Sequence, residues 1–130
     1  MTKSLKKAKI GIMPLEQYKK RTIKIAKGIY KPKNDEPKIW FNSIKSLANV
    51  LSEENRELLS LIIEQNPKSI SDLEPLTGRK ANNLLRTLRK MEQYGLVRLV
   101  ESKETSRGRA PLIPEVLYDV ADVHINFVSH

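Results

Sequence analysis

The chain has 130 residues, with 24 Lys plus Arg against 15 Asp plus Glu, which gives a formal net charge of +9. It contains no cysteine, which excludes a disulfide framework, a thiolate zinc site and a cysteine nucleophile. No apolar run approaches the roughly 20 residues of a membrane span, and the first residues lack the apolar stretch of a secretory signal. We therefore expect a cytoplasmic protein.

The positive charge is concentrated in two segments. Residues 1–33 hold eleven basic side chains and one acid, a net charge of +10, whereas residues 34–130 sum to −1. Within the second part, residues 78–110 carry nine basic groups and three acids, a net charge of +6. Such blocks favour phosphate-rich partners, because neutralising phosphates releases condensed counterions. The alternative is that the basic runs only keep the chain soluble.

The first 38 residues divide into an arm, a helix and a linker. We predict a basic flexible arm over 1–13, followed by a basic amphipathic helix and its linker over 14–38, with the helix at 15–29. The helix carries a stripe with 3-4-3-4 spacing: Leu15, Tyr18, Thr22, Ile25 and Ile29. This narrow stripe is expected to pack on the rest of the chain or on a second copy. It has too few bulky apolar residues to favour a membrane surface.

Helix signals dominate the next part of the chain. Ser52 is expected to cap one helix, and Asn66–Pro67 to end it. Ser71 and Glu74 match a capping box, which predicts that a short helix starts at Ser71. A glycine, Gly78, follows that helix and predicts a tight turn.

A longer helix is predicted over 80–94, ending at Gly95. Leu84, Leu88 and Met91 share one side of it and are expected to face the core. Asn pairs bidentately with adenine and Arg with guanine, so the opposite side suits base edges in a DNA groove. The residues expected to read bases are Lys80, Asn82, Asn83, Arg86, Thr87 and Lys90.

The hydrophobic period then changes from helical to alternating. Leu96–Val100 and Ala110–Ile113 are predicted to form a β-hairpin whose polar tip, residues 101–110, is a wing. Val123–Phe127 alternates in the same way and predicts one more half-buried strand. Four cations are expected to contact the DNA backbone from the turn and the wing: Arg79, Lys103, Arg107 and Arg109.

This order of elements predicts a mainly α fold with a small β-hairpin wing. It is the plan of a winged helix-turn-helix over 39–130, preceded by the basic N-terminal helix. Because one recognition helix reads few bases, we expect a homodimer that reads two half-sites. The surfaces expected to pair with a second copy or another partner are the helical stripe and the last strand: Leu15, Tyr18, Ile25, Ile29, Val123, Ile125 and Phe127.

Catalytic and cofactor chemistry find little support in the sequence. The two histidines, His124 and His130, have no neighbouring serine or carboxylate in a triad spacing, and there is no Gly-rich phosphate loop. Asp119, Asp122 and His124 lack a second histidine or any cysteine to complete a metal site. We therefore predict no catalytic residue, no metal and no cofactor.

Several segments together resemble a group of prokaryotic predicted transcriptional regulators with winged-helix domains, loosely related to the MarR type. The resemblance rests on Lys38–Ser43, Leu47–Leu59, Leu76–Lys80 and Asn83–Val97, and it extends over about residues 14–128. It implies a DNA-binding regulator, and some members of the group look like antitoxins encoded beside a toxin gene.

The sequence thus leads to a main hypothesis and two alternatives. The first is a sequence-specific repressor that binds duplex DNA as a homodimer and associates with the nucleoid when bound. The second is an antitoxin-type interaction module that grips a toxin protein, with the basic arm ordering on an acidic surface. The third is binding of double-stranded RNA, which competition with duplex RNA distinguishes.

Overall fold

A computed structural model describes residues 6–103 and 111–127 and shows a mixed α/β fold with two small sheets. The helices and strands, in chain order, are β1 (Lys7–Ile12), α1 (Leu15–Ala26), β2 (Ile39–Phe41), α2 (Ile44–Val50), α3 (Glu53–Gln65), a 3₁₀ turn (Ser71–Leu73), α4 (Glu74–Thr77), α5 (Ala81–Gln93), β3 (Val97–Glu101), β4 (Leu112–Val116) and β5 (Val120–His124). The predicted mainly α class is corrected, because a parallel sheet is present in addition to the hairpin.

The described residues form two compact units. Unit 1 comprises residues 6–49 and 120–127, and unit 2 comprises residues 50–103 and 111–119. Unit 1 holds a three-stranded parallel sheet in the order β2-β1-β5, and unit 2 holds α3, α4, α5 and the β3–β4 hairpin. The predicted main domain over 39–130 therefore differs from the observed division, since its two ends belong to unit 1.

The segment predicted as a flexible arm forms the central strand of this parallel sheet. Ala8 and Ile10 of β1 are 1% and 0% exposed, whereas Lys7 and Lys9 are exposed. Alternation of this kind is the pattern of a strand with one buried face. The arm prediction is corrected for Lys7–Ile12, because the two buried side chains and both neighbouring strands fix the backbone.

Arg21 links α1 to the rest of unit 1. Its guanidinium makes a 3.0 Å ion pair with Glu36 and lies 5.2 Å from the ring centroid of Trp40 and 5.7 Å from that of Tyr30. The Trp40 ring in turn covers Gly11, where a Cβ atom would lie 2.8 Å from Trp40 Cε3. Arg21 is thus a structural cation, although it contributes to the +10 of the N-terminal segment.

The C-terminal strand lies three residues earlier than predicted. β5 pairs with β1 in parallel, with Val120 opposite Lys7 and His124 opposite Gly11. Ile125 and Phe127 follow the strand, and Phe127 is 98% exposed. The prediction over Val123–Phe127 is corrected because pairing with β1, which fixes the register, is a long-range contact.

The helix caps of unit 2 agree with the sequence in one case and differ in another. The Ser52 hydroxyl accepts a hydrogen bond from Asn55 N at 3.3 Å, which confirms the predicted cap of α3. The predicted capping box at Ser71 is wrong, because the Ser69 hydroxyl accepts from Asp72 N instead. A helical turn nevertheless begins at Ser71, as predicted, and the Glu74 carboxylate is left available to another element.

The core of unit 2 lies between its helices and the base of the hairpin. Seven apolar side chains there are at most 4% exposed: Leu58, Ile62, Leu73, Leu84, Leu88, Met91 and Val97. The hairpin is confirmed, with Val97 opposite Val116 and Glu101 opposite Leu112. Its second strand runs farther than predicted and includes Pro114, which is buried.

Candidate nucleic-acid interface

The inner face of α5 fixes the direction of its outer face. Leu84, Leu88 and Met91 are all 0% exposed, which confirms the predicted core side of this helix. Side chains about half a helical turn away must then point outward. The helix is about 20 Å long, from 13 residues at 1.5 Å each.

A tight turn with its own hydrogen bonds leads into α5. Gly78 ends α4 in the left-handed conformation at φ 73°, which a residue with a Cβ adopts only at a cost. The Thr77 hydroxyl accepts from Arg79 N at 3.1 Å, and the Glu74 carboxylate accepts from Ala81 N at 2.9 Å. Glu74 thus caps the positive end of α5, a role that the sequence reasoning assigned to a different helix.

The predicted base-reading residues occupy the outer face. Five of them are exposed and Thr87 is half-buried: Lys80, Asn82, Asn83, Arg86 and Lys90. Within residues 6–103 and 111–127, no hydrogen bond or ion pair involves the side chains of Lys80, Arg86 or Lys90. These three cations are therefore available to a partner.

A shallow concavity of about 560 Å³ lies beside the start of α5. Its lining includes four residues that are predicted to read bases: Lys80, Asn82, Asn83 and Arg86. Arg79, which is predicted to contact the DNA backbone, and the acid Glu54 also line it. Glu54 could not be predicted as part of this surface, because no local pattern in the sequence encodes the distance between the start of α3 and α5. Its carboxylate opposes the positive charge of this surface.

Arg79 forms a clamp, a set of three hydrogen bonds that the sequence did not predict. Its guanidinium donates to Asn83 Oδ1 at 3.0 Å from Nε, to Asn55 Oδ1 at 3.3 Å from Nη1, and to Thr87 Oγ1 at 2.8 Å from Nη2. Arg79 was predicted to contact the DNA backbone, whereas these three bonds engage it inside unit 2. The i, i+4 spacing of Arg79 and Asn83 is the only local signal of the clamp.

The hairpin uses two of its charged residues to hold its own position. Arg98 and Glu115 face each other across the strands and form an ion pair at 2.7 Å. Glu92 of α5 accepts from Leu99 N at 3.0 Å, which ties β3 to the end of the helix. Of the predicted wing cations, Lys103 is exposed, and Arg107 and Arg109 lie outside the described residues.

Unit 1 carries most of the excess positive charge. Its described residues include 12 Lys plus Arg and 4 acids, whereas those of unit 2 include 9 Lys plus Arg and 10 acids.

The predicted partner surfaces lie in unit 1 and are largely exposed. On α1, Leu15 is 52% exposed, Tyr18 39% and the following Ile29 71%, while Ile25 is half-buried. No residue of α1 is buried, and the pairing of this stripe with a partner stays a prediction.

On β5 and the residues after it, Val123 is 45% exposed and Ile125 43%. β5 is also an edge of the three-stranded sheet, since its only partner among the described strands is β1. An edge strand presents unpaired backbone N–H and C=O groups to a partner.

Within residues 6–103 and 111–127, no group of three or more His, Cys, Asp or Glu side chains is placed to hold a metal ion. No helix in the same residues combines the length and the apolar character that a membrane crossing requires.

One family model, HVO_A0114, matches residues 50–123, which is more than half of the chain. The chain belongs to the HVO_A0114 family. The HVO_A0114 match covers α3 to β4 and most of β5, and it leaves out β1, α1, β2 and all of α2 except Val50. The HVO_A0114 designation names no activity. No curated protein and no solved structure matches the chain.

Proposed function

We propose that the protein is a sequence-specific regulator of transcription that binds duplex DNA. In this proposal α4 and α5 form the helix-turn-helix of a winged helix, α5 is the recognition helix and the β3–β4 hairpin is the wing. The observation that carries it is the contrast between the two faces of α5. One face is entirely buried, while the other carries cations with no partner among the described residues.

The dimensions and chemistry of α5 suit a major groove. An α-helix with its side chains is about 10–12 Å wide, and the major groove of B-DNA is about 12 Å wide. Arg86 lies in the second turn of the helix, where its planar guanidinium suits the two acceptors of guanine. Lys80 and Lys90 lie nearer the two ends of the helix and are the other two cations predicted to read base edges.

A single substitution tests the assignment of α5. We expect Arg86→Ala to weaken binding to the DNA upstream of the protein's own gene by about 1–3 kcal/mol and to change binding to a scrambled duplex little. Fluorescence anisotropy with both duplexes measures this difference. Lys68→Ala, which removes an exposed lysine of unit 2 outside α5 and the hairpin, is the matched control. Equal losses on both duplexes remove Arg86 from the reading role.

The proposal includes a homodimer that acts as a repressor in the cytoplasm and is associated with the nucleoid when bound. Two recognition helices related by a two-fold axis read half-sites about one helical turn apart. The exposed edge of β5 and the exposed stripe of α1 support such an association. Light scattering, which measures the oligomeric state, distinguishes the two surfaces. Val123→Lys should block a dimer that pairs along β5, and Leu15→Lys should block one that pairs through the α1 stripe. A dimer that survives both substitutions rules out these two surfaces.

A second candidate function is a protein-interaction module of the antitoxin type. The observation that favours it is the solvent-exposed apolar surface of α1, where Leu15 and Ile23 are each 52% exposed. Co-expression with the product of the neighbouring gene tests it, and Leu15→Asp with Ile23→Asp should abolish co-purification. Retained co-purification of that variant contradicts a role for α1. Competition with duplex RNA distinguishes DNA binding from the RNA alternative.

A further inference from the structure

Both asparagines at the start of α5 have their side-chain oxygens turned toward the protein. Asn82 Oδ1 accepts a hydrogen bond from Asn83 N at 2.9 Å. Asn83 Oδ1 accepts from Arg79 Nε at 3.0 Å. A backbone N–H and a guanidinium N–H can only donate, so the amide oxygen must face each of them. The Nδ2 group of each asparagine, with its two N–H donors, is then the part presented to a ligand.

Arg79 also holds the hydroxyl of Thr87. Thr87 Oγ1 accepts from Arg79 Nη2 at 2.8 Å, so its own O–H remains a donor. Arg79 is itself anchored, because Nη1 donates to Asn55 Oδ1 and Asn55 Nδ2 donates to Val50 O at 3.0 Å. The clamp therefore joins the start of α3 to the first two turns of α5.

The outer face of α5 is in consequence a surface of hydrogen-bond donors. Lys80, Arg86 and Lys90 can only donate, and Asn82, Asn83 and Thr87 offer donors for the reason just given. In the major groove, guanine presents two acceptors, N7 and O6, whereas adenine presents the N7 acceptor and the N6 donor. The usual bidentate contact of asparagine with adenine needs Oδ1 and Nδ2 directed together at the base, whereas each Oδ1 here is directed at a donor of the protein.

We infer that Arg79 is a positioning residue that makes this face selective for guanine over adenine. The inference rests on the proposed function, because it assigns the base class that the proposed recognition helix reads.

Selection from a random duplex library with the full-length protein tests the inference, followed by anisotropy titration of the selected duplex. The wild-type protein should enrich guanine, and replacing one selected guanine by adenine should weaken binding about tenfold. Asn83→Asp keeps the oxygen that Arg79 needs and removes the outward donors. At one guanine position it should bring the affinity ratio of guanine to adenine close to one.

Two further variants separate positioning from general effects. Gln93→Glu adds the same negative charge at an exposed position at the end of α5, so it should weaken all binding alike and leave the ratio unchanged. Arg79→Met frees the Asn83 amide to turn and should lower the ratio at the position that Asn83→Asp affects. If Arg79→Met fails to fold, Asn83→Asp still decides the outcome, because it retains the clamp.

The results distinguish the inference from the function on which it rests. Enrichment of adenine by the wild-type protein, or a ratio that Asn83→Asp leaves unchanged, overturns the guanine preference but keeps the DNA-binding proposal. A wild-type protein that enriches no duplex overturns the proposed function and the inference with it.

Discussion

Replacing Arg79 with methionine removes the guanidinium of the clamp and keeps an unbranched apolar side chain of similar length. Three hydrogen bonds are lost, to Asn55, Asn83 and Thr87. A typical intramolecular hydrogen bond contributes about 0.5–1.5 kcal/mol net, and water replaces the bond at exposed Asn83 most easily. We therefore expect the free energy of unfolding to fall by about 2 kcal/mol.

The matched control is Arg86→Met, which makes the same chemical change seven residues along. Arg86 is exposed and makes no hydrogen bond or ion pair with the described residues, so its replacement should change the free energy of unfolding by less than about 0.5 kcal/mol. Urea unfolding followed by far-ultraviolet circular dichroism measures both values. DNA binding should show the reverse pattern for the control: Arg86→Met should lose affinity for the preferred duplex although its free energy of unfolding is retained.

The outcome that refutes this reasoning is a loss of stability that does not distinguish the two arginines. If Arg79→Met unfolds within about 0.5 kcal/mol of the wild type, the clamp contributes too little to position Asn83. If Arg86→Met is destabilised as much as Arg79→Met, its side chain has a structural role that excludes a free reading surface.

Three other predictions concern the sheet of unit 1 and the charge around α5. Gly11→Ala places a Cβ atom 2.8 Å from Trp40 Cε3, so it should destabilise unit 1 by about 1–3 kcal/mol. The fluorescence of Trp40, the single tryptophan, reports the unfolding, and an unaltered transition would contradict the close packing of the ring on Gly11. Lys7→Gln with Lys9→Gln removes two exposed cations of β1 and should lower the salt dependence of DNA binding by about 1–2 in log–log slope without changing sequence preference, and an unchanged slope shows that this strand does not touch DNA. Glu54→Gln removes the acid that faces the concavity and keeps an acceptor oxygen, so it should strengthen binding to every duplex about two- to fivefold at low salt; weaker binding would contradict the repulsion assigned to it.

Local signals in the sequence were sufficient for the helices and hairpin of unit 2. The spacing of Leu84, Leu88 and Met91 predicted the buried side of α5, and all three are fully buried. Ser52 was predicted as a cap and caps α3. Helices and hairpins depend on contacts between residues near each other in the chain, which is why local sequence patterns predict them.

The parallel sheet and the clamp depend on contacts between distant residues. In β1, exposed lysines alternate with Ala8 and Ile10, and such lysines are also typical of a solvated arm. Only the pairing with β2 and β5 on either side identifies the segment as a strand. Parallel strands are joined by long connections, so no turn marks their pairing. The contact of Arg79 with Asn55 spans 24 residues and leaves no periodic signal.

The central claim is that unit 2 reads a DNA sequence, and anisotropy titration across a salt series tests it most directly. The duplexes are the DNA upstream of the protein's own gene and a scrambled version of the same composition, measured from about 50 to 200 mM salt. Both affinities should fall as salt rises, with the upstream duplex bound at least about 10³-fold more tightly near physiological salt. Equal affinity for the two duplexes at every salt concentration would contradict the claim.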